Sequence, residues 1–243
     1  MDGSSGAGVS PVKVSAHYTG SQGEAYASGD YWSNLDHPTF RFEAEYFAPY
    51  LGPSHRVLDF GCGNGGLMNA LRGRVASIEG LEVNAAAAER GRDAGFTVYD
   101  GIGSIPAGRA YDRIVSNHVL EHIRDVCSTL EALRAHLAPE GRFVFKLPID
   151  DSRERWQRSW SDADVDYHLQ TWTPRLFGNV LKESGLAPVE IRVVSSAVDP
   201  RLFFLEAVGL HRLAFRLIAV LKRRRQLFVM ARRGSCGSAD GGS

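Results

Sequence analysis

The chain has 243 residues, 44% hydrophobic and 23% charged, enough apolar material for one large core or two small ones. Its 28 basic and 28 acidic side chains cancel to zero formal charge, so no overall field favours nucleic acid. Cys62, Cys127 and Cys236 are scattered and show no Cys-x-x-Cys spacing, which argues against a disulfide framework or a zinc site and fits a reducing compartment.

The opening MDGSSGAGVSPVKVSA lacks the apolar core of a secretion signal. No apolar run approaches the ~20 residues that cross a bilayer, and a soluble cytoplasmic protein is expected. Residues 1–30 are expected to be a disordered or lid-like segment and 234–243 a disordered tail, because both are too poor in large apolar groups to offset ordering entropy. The folded domain is expected over 31–233.

In chain order, HPTFRFEAEYFAPYL carries Pro38 near its start and helical apolar spacing afterwards, which predicts a helix lying over the domain. RVLDF (56–60) reads as a strand and 65–72 as a helix. VASIEGLEV (75–83) is a second strand, followed by a helix that Asn84 caps and Gly95 stops. FTVYD (96–100) and YDRIVSNHV (111–119) are the third and fourth strands. A helix then runs from Val126 and ends before Pro139, and GRFVFKLPI (141–149) is a fifth strand. Pro174 opens a helix that Gly185 closes, and PVEIRVVS and QLFVMAR supply the last two strands. Between these two lies a helical run from Arg201 to about Lys222. Strands alternating with helices predict an α/β fold: a Rossmann-like, seven-stranded, mostly parallel sheet with helices on both faces, in a single domain with a lid and a helical insertion before the last strand.

The stretch VLDFGCGNGG contains Gly-x-Gly-x-x-Gly, a pattern that also serves dinucleotides. A pyrophosphate would be held there by backbone N–H groups and the helix dipole. Asp59, two residues before Gly61, would repel it. A ligand with ammonium and sulfonium charges and no phosphate would be attracted instead, and S-adenosylmethionine is such a ligand. Glu82 stands at the end of the second strand, about twenty residues past the loop, where a carboxylate reaches ribose hydroxyls. Glu79 competes for that role from further down the strand. Asp100, ending the third strand beside Gly101 and Ile102, can accept an adenine amino group.

VLDFGCGNG, GLEVN, YDRIVSNHVLEHI, LAPEGRFVFKLP and HLQTWTP…LFGNVLKESGL occur in an order that resembles the class I S-adenosylmethionine-dependent methyltransferases. HVLEHI and PEGRF look like the small-molecule enzymes related to ubiquinone and menaquinone biosynthesis. The resemblance covers about Arg56 to Gly185 and the LFVMARR strand. It implies that Asp59, Gly61, Gly63 and Gly65 hold the methionyl part, Glu82 the ribose and Asp100 the adenine. It also implies that Asn117 borders cofactor and acceptor. Two departures are mild: Glu82 stands where Asp is common, and Pro-Glu-Gly-Arg replaces a Pro-Gly-Gly turn.

The expected reaction is methyl transfer to a small molecule at oxygen. An acceptor hydroxyl needs a base worth ~10²–10⁴ in rate. His118 follows Asn117 at a strand end and can face the pocket. His168 opens the segment that the resemblance places as a lid, and His122, at the start of the next helix, reads as packed and structural. Asp150 to Trp172 mixes acids, arginines, three tryptophans and a tyrosine, either as a lid over an aromatic or sugar-like acceptor or as a connector packed on the domain. No cluster has metal-ligand spacing, so no metal is expected.

At 100° per residue, Arg201, Arg212, Arg216 and Arg223 share a stripe. Leu202, Leu210, Leu213, Leu217, Ile218, Val220 and Leu221 spread opposite it. The apolar side is expected to pack on this domain or on a partner subunit; a peripheral membrane contact or a lipid-linked acceptor reached through 201–225 is the alternative. An NAD(P)-dependent oxidoreductase and a non-catalytic cofactor-binding scaffold are the rival functions.

Overall fold

A computed structural model describes residues 34–149, 167–195 and 197–234. The expectations for 1–30, for most of 234–243, and for Trp156 and Trp160 in the lid segment lie outside these residues.

Helix α1 (Pro38–Phe47) precedes β1 (Arg56–Phe60) and α2 (Gly66–Leu71). Then come β2 (Ser77–Leu81), α3 (Ala85–Asp93), β3 (Val98–Tyr99) and β4 (Tyr111–Asn117). Next are α4 (Val126–Ala135), β5 (Leu137–Ile149) and α5 (Pro174–Glu183). β6 (Leu186–Ser195), α6 (His211–Leu221) and β7 (Arg225–Arg233) complete the series. The helix ends follow local chemistry. Asn84 Oδ1 accepts from the Ala87 N–H at 3.0 Å to cap α3, and Thr173 Oγ1 caps α5 just before Pro174.

The sheet order is β3-β2-β1-β4-β5-β7-β6. The first five strands are parallel, while β7 lies antiparallel between β5 and β6. Neighbouring residues on the central strands enter opposite cores, which is why those strands read as continuous apolar runs. Leu58, Ile114, Phe143 and Phe145 pack with α4 and α5. Val57, Val115 and Val144 pack with α1 and α2. Trp172 is buried in the first of these cores, edge-on to Phe177 at 5.1 Å, so at this position the tryptophan is core rather than lid.

Two elements differ from the sequence expectation. His122 does not start a helix: 120–122 is a single tight turn, and α4 begins only at Val126 after its Asp125 cap. The run from Arg201 to Lys222 is not one helix either. A 3₁₀ segment, Pro200–Val208, ends at Gly209 with φ +70°, and α6 starts afresh at His211. Arg201 therefore does not share a stripe with Arg212, Arg216 and Arg223. The domain-facing side of α6 is Phe215 and Ala219, whereas Leu213, Leu217, Val220 and Leu221 are exposed. The expected packing of that apolar side on this domain is thus corrected.

Candidate active site

Strand order reverses between β1 and β4, and their C-terminal ends open a crevice of the kind that binds ligands in open α/β sheets. The glycine loop sits on its floor. Gly61 and Cys62 donate their N–H groups to Leu81 O at 2.8 and 3.1 Å, which ties the loop to the end of β2. Gly61, Gly63 and Gly65 all have positive φ, of +77°, +54° and +89°. At Gly61 the requirement is doubled, because a Cβ would lie 2.3 Å from Val119 Cγ2.

Asp59 is 2% exposed, and its Oδ2 has no hydrogen-bond partner. Burial, and then the charge of Glu82, push its carboxyl up to about 7. Glu82 folds back over the loop: Gly63 N–H donates to Oε2 at 2.9 Å and Asn84 N–H to Oε1 at 2.8 Å. Burial raises the Glu82 carboxyl despite these bonds. A loop amide that a pyrophosphate would need is already turned to a carboxylate. Asn64, which sequence reading passed over, is buried and accepts from Gly66 N–H at 3.1 Å to shape the entry to α2.

Asp100 lies on the exposed rim, ion-paired with Arg92, which also donates to Val98 O. Gly101 is extended, with open space where a Cβ would stand, so its backbone does not require glycine. Glu79, the competitor to Glu82, is committed elsewhere. It accepts from Tyr111 Oη at 2.6 Å and Tyr99 Oη at 3.1 Å and pairs with Arg109, a structural network that lowers its carboxyl against burial.

Across the crevice, Asn117 Oδ1 is buried without a partner. His118 has φ +56° and donates its N–H to Lys146 O at 2.9 Å. This left-handed residue turns the chain sharply off β4. Its Nδ1 lies 3.5 Å from Glu121 Oε1. Glu121 is fully buried, and neither carboxylate oxygen accepts a hydrogen bond. His122 Nε2 stands 3.9 Å from the same oxygen, and the His168 ring is 5.0 Å from that of His122. Burial lowers His122 in spite of Glu121. Ligand-type atoms of Glu121, His122 and His168 all fall within 4.8 Å of one another, although 46 residues of sequence separate His122 from His168. Leu169 N–H donating to Glu121 O at 2.9 Å and Gln170 Nε2 to Ile123 O at 2.7 Å hold the two segments together. His118, His122 and His168 all stand out in the sequence, but Glu121, between His118 and His122 in HVLEHI, reads there as an ordinary helix-surface acid.

The antiparallel β7 beside β5 departs from the 3-2-1-4-5-6 order of dinucleotide-binding sheets. A family model described as a methyltransferase domain matches residues 31–191. The chain belongs to the class I S-adenosylmethionine-dependent methyltransferases. The chain is 28% identical over 148 residues to the ribosomal protein L11 methyltransferase of Ralstonia nicotianae, covering 57% of this chain and 46% of that one. It is 25% identical over 170 residues to the ubiquinone biosynthesis O-methyltransferase of Brucella ovis, covering 67% and 66%. The match thus spans 46% to 66% of the length of these two relatives. Geranyl diphosphate C-methyltransferase from Streptomyces coelicolor, solved with Mg2+, geranyl diphosphate and S-adenosylhomocysteine, shares the fold. Its TM-score is 0.57 at 18% identity, covering 79% of this chain and 78% of that one. The residues present fit the family's cofactor, because the crevice holds buried polar atoms with no partner, Asp59 Oδ2 and Asn117 Oδ1.

Proposed function

We propose that the protein transfers a methyl group from S-adenosylmethionine to an oxygen of a small-molecule acceptor. The single observation that carries this reading is Asp59, a buried carboxyl near the C-terminal end of β1 with an unpaired oxygen. A cationic ligand relieves its burial cost, whereas a phosphorylated one increases it. In this reading Asp59 and the backbone of Gly61, Gly63 and Gly65 take the methionyl end, and Glu82 takes the ribose. Asp100 and the Gly101 backbone take the adenine, and Asn117 borders the reacting centre. When bound, the cofactor supplies an electrophilic methyl group on a sulfonium.

The chain's own task is then alignment, exclusion of water and handling of one proton. His118 receives that proton from the acceptor hydroxyl, with Glu121 beside its Nδ1 to stabilise the resulting imidazolium. His168, against His122 and close to the same Glu121, borders the acceptor. The relative described as a ubiquinone biosynthesis O-methyltransferase supports oxygen as the target. A lipid-linked acceptor reached past residues 201–225 and residence in the cytoplasm belong to the same proposal. No helix among the described residues is long and apolar enough to cross a membrane.

The test is calorimetric titration with S-adenosylmethionine and with NAD, followed by a methyl-transfer screen over phenols, sugars, isoprenoid quinols and protein extracts. Binding of the first ligand only, with turnover on a hydroxylated small molecule, is expected. NAD binding alone would return the protein to the oxidoreductases, and cofactor binding with no turnover on any acceptor would make it a scaffold.

A further inference from the structure

Helix α6 presents Leu210 at its N-cap and then Leu213, Leu217, Val220 and Leu221 at helical three- and four-residue spacing. These five side chains fall within an arc of about 100°. They are 52% to 80% exposed and lie opposite Phe215 and Ala219, which hold the helix to the domain. Five large apolar groups in one exposed stripe are more than the single scattered leucines of an ordinary surface.

A basic flank runs beside the stripe. Arg216, Arg223 and Arg224 carry no ion pair among the described residues, whereas Arg212 pairs with Glu45 at 3.0 Å and Lys222 with Asp199 at 3.7 Å. No acidic residue occurs in α6.

The position of this face follows from strand register. Arg225, the first residue of β7, pairs with both Ile149 at the end of β5 and Ser195 at the end of β6. The connection from β6 to β7 therefore leaves and re-enters the sheet at the C-terminal ends of the parallel strands, the same rim as the crevice. It reaches the cofactor loop through α1. Phe42 packs edge-on to Phe215 at 5.0 Å, and Phe40, two residues earlier, covers Gly66 at the end of the glycine loop.

We infer that the exposed face of α6 docks on an anionic bilayer, leucines in the interface and arginines on the headgroups, with the crevice rim turned toward the lipid. Eleven residues are too few to span the hydrocarbon core, so the helix lies in the plane of the surface. The charges favour lipid over a second copy of the chain. A self-paired stripe would gather two arginine flanks around a face without a carboxylate, whereas anionic headgroups neutralise each arginine. The docking stands on the exposed face alone; only its use, delivery of a membrane-resident acceptor, rests on the methyl-transfer reading.

The experiment is co-sedimentation of the full chain with vesicles of phosphatidylcholine, with and without phosphatidylglycerol. S-adenosylhomocysteine affinity is measured on the same samples. Partition onto the phosphatidylglycerol vesicles is expected to fall at least about tenfold in Leu213→Ser/Leu217→Ser/Leu221→Ser, in Arg223→Glu/Arg224→Glu, and on raising the salt concentration. Nucleoside affinity should stay unchanged in both variants. No partition of the unaltered chain, or partition that neither variant weakens, overturns the inference. So does a dimer in light scattering that the triple serine variant dissolves, since a second copy would then cover the face. Lost nucleoside binding with vesicle binding intact would instead sink the methyl-transfer reading and leave the docking standing.

Discussion

Replacing Gly61 with alanine isolates the geometry on which the cofactor loop depends. The backbone there has φ +77°, which costs an L-residue about 1–2 kcal/mol. The added Cβ would stand 2.3 Å from Val119 Cγ2 and 2.8 Å from Cγ1, and overpacking of this kind costs a further ~1–3 kcal/mol. The sum, about 2–5 kcal/mol, is a large share of the ~5–15 kcal/mol that holds a domain folded. Val119 follows His118, so relief by movement would carry the acceptor side with it. Urea denaturation of Gly61→Ala, Val119→Ala and the double variant separates the two parts. The cycle is expected to give a favourable coupling of about 1–3 kcal/mol, with the backbone share left unrecovered. A cost under about 1 kcal/mol for Gly61→Ala, or no rescue by Val119→Ala, would refute the packing account of this loop.

Three further outcomes follow from the same structure. Asp59 titrates at about 7 when folded against an ordinary 3.8, so the folded chain holds its proton longer than the unfolded one. Stability therefore falls as pH climbs between those values, and Asp59→Asn is expected to flatten the profile and gain up to about 4 kcal/mol above it by denaturant melting; an unchanged profile would contradict the burial. Lys146, wholly buried against Glu43 and the Tyr46 ring, is held below the usual ammonium range by burial. Lys146→Met alone is expected to cost about 3–5 kcal/mol in thermal or urea unfolding, and adding Glu43→Leu should return most of it. His118→Ala is expected to lower kcat about 10²–10⁴-fold with little change in S-adenosylmethionine affinity, and Glu121→Gln should lower kcat while leaving KM for the cofactor alone; equal losses in binding would make both residues structural.

Much of this was legible in the residues, and what was not has a physical reason. The β-branched and aromatic runs of β1, β4, β5 and β7 enter two cores at once, so they announced themselves. The caps at Asn84 and Thr173 and the stop at Gly185 are local signals, complete within a few residues. The antiparallel placement of β7 is a matter of register between distant strands, which no short pattern encodes. Lys146 and Glu43 meet across 103 positions and read as unrelated surface charges. Glu121 was missed because LEHI looks like the first turn of a helix, whereas the fold closes it as a single turn and buries the acid. Gly209 was legible as a glycine, but its left-handed backbone, which splits the basic run and redirects its leucines outward, was masked by the strong periodicity on either side.

The electrostatic selection of the ligand by Asp59 is tested most directly by calorimetry. S-adenosylmethionine is titrated into the unaltered chain and Asp59→Asn, from one pH unit below the Asp59 value of about 7 to one above it. Affinity of the unaltered chain is predicted to rise up to tenfold with ionisation and then level, with proton release on binding that fades above that value. The asparagine variant should bind weakly at every pH. Affinity that ignores both pH and the substitution would mean the carboxylate takes no part in choosing the ligand.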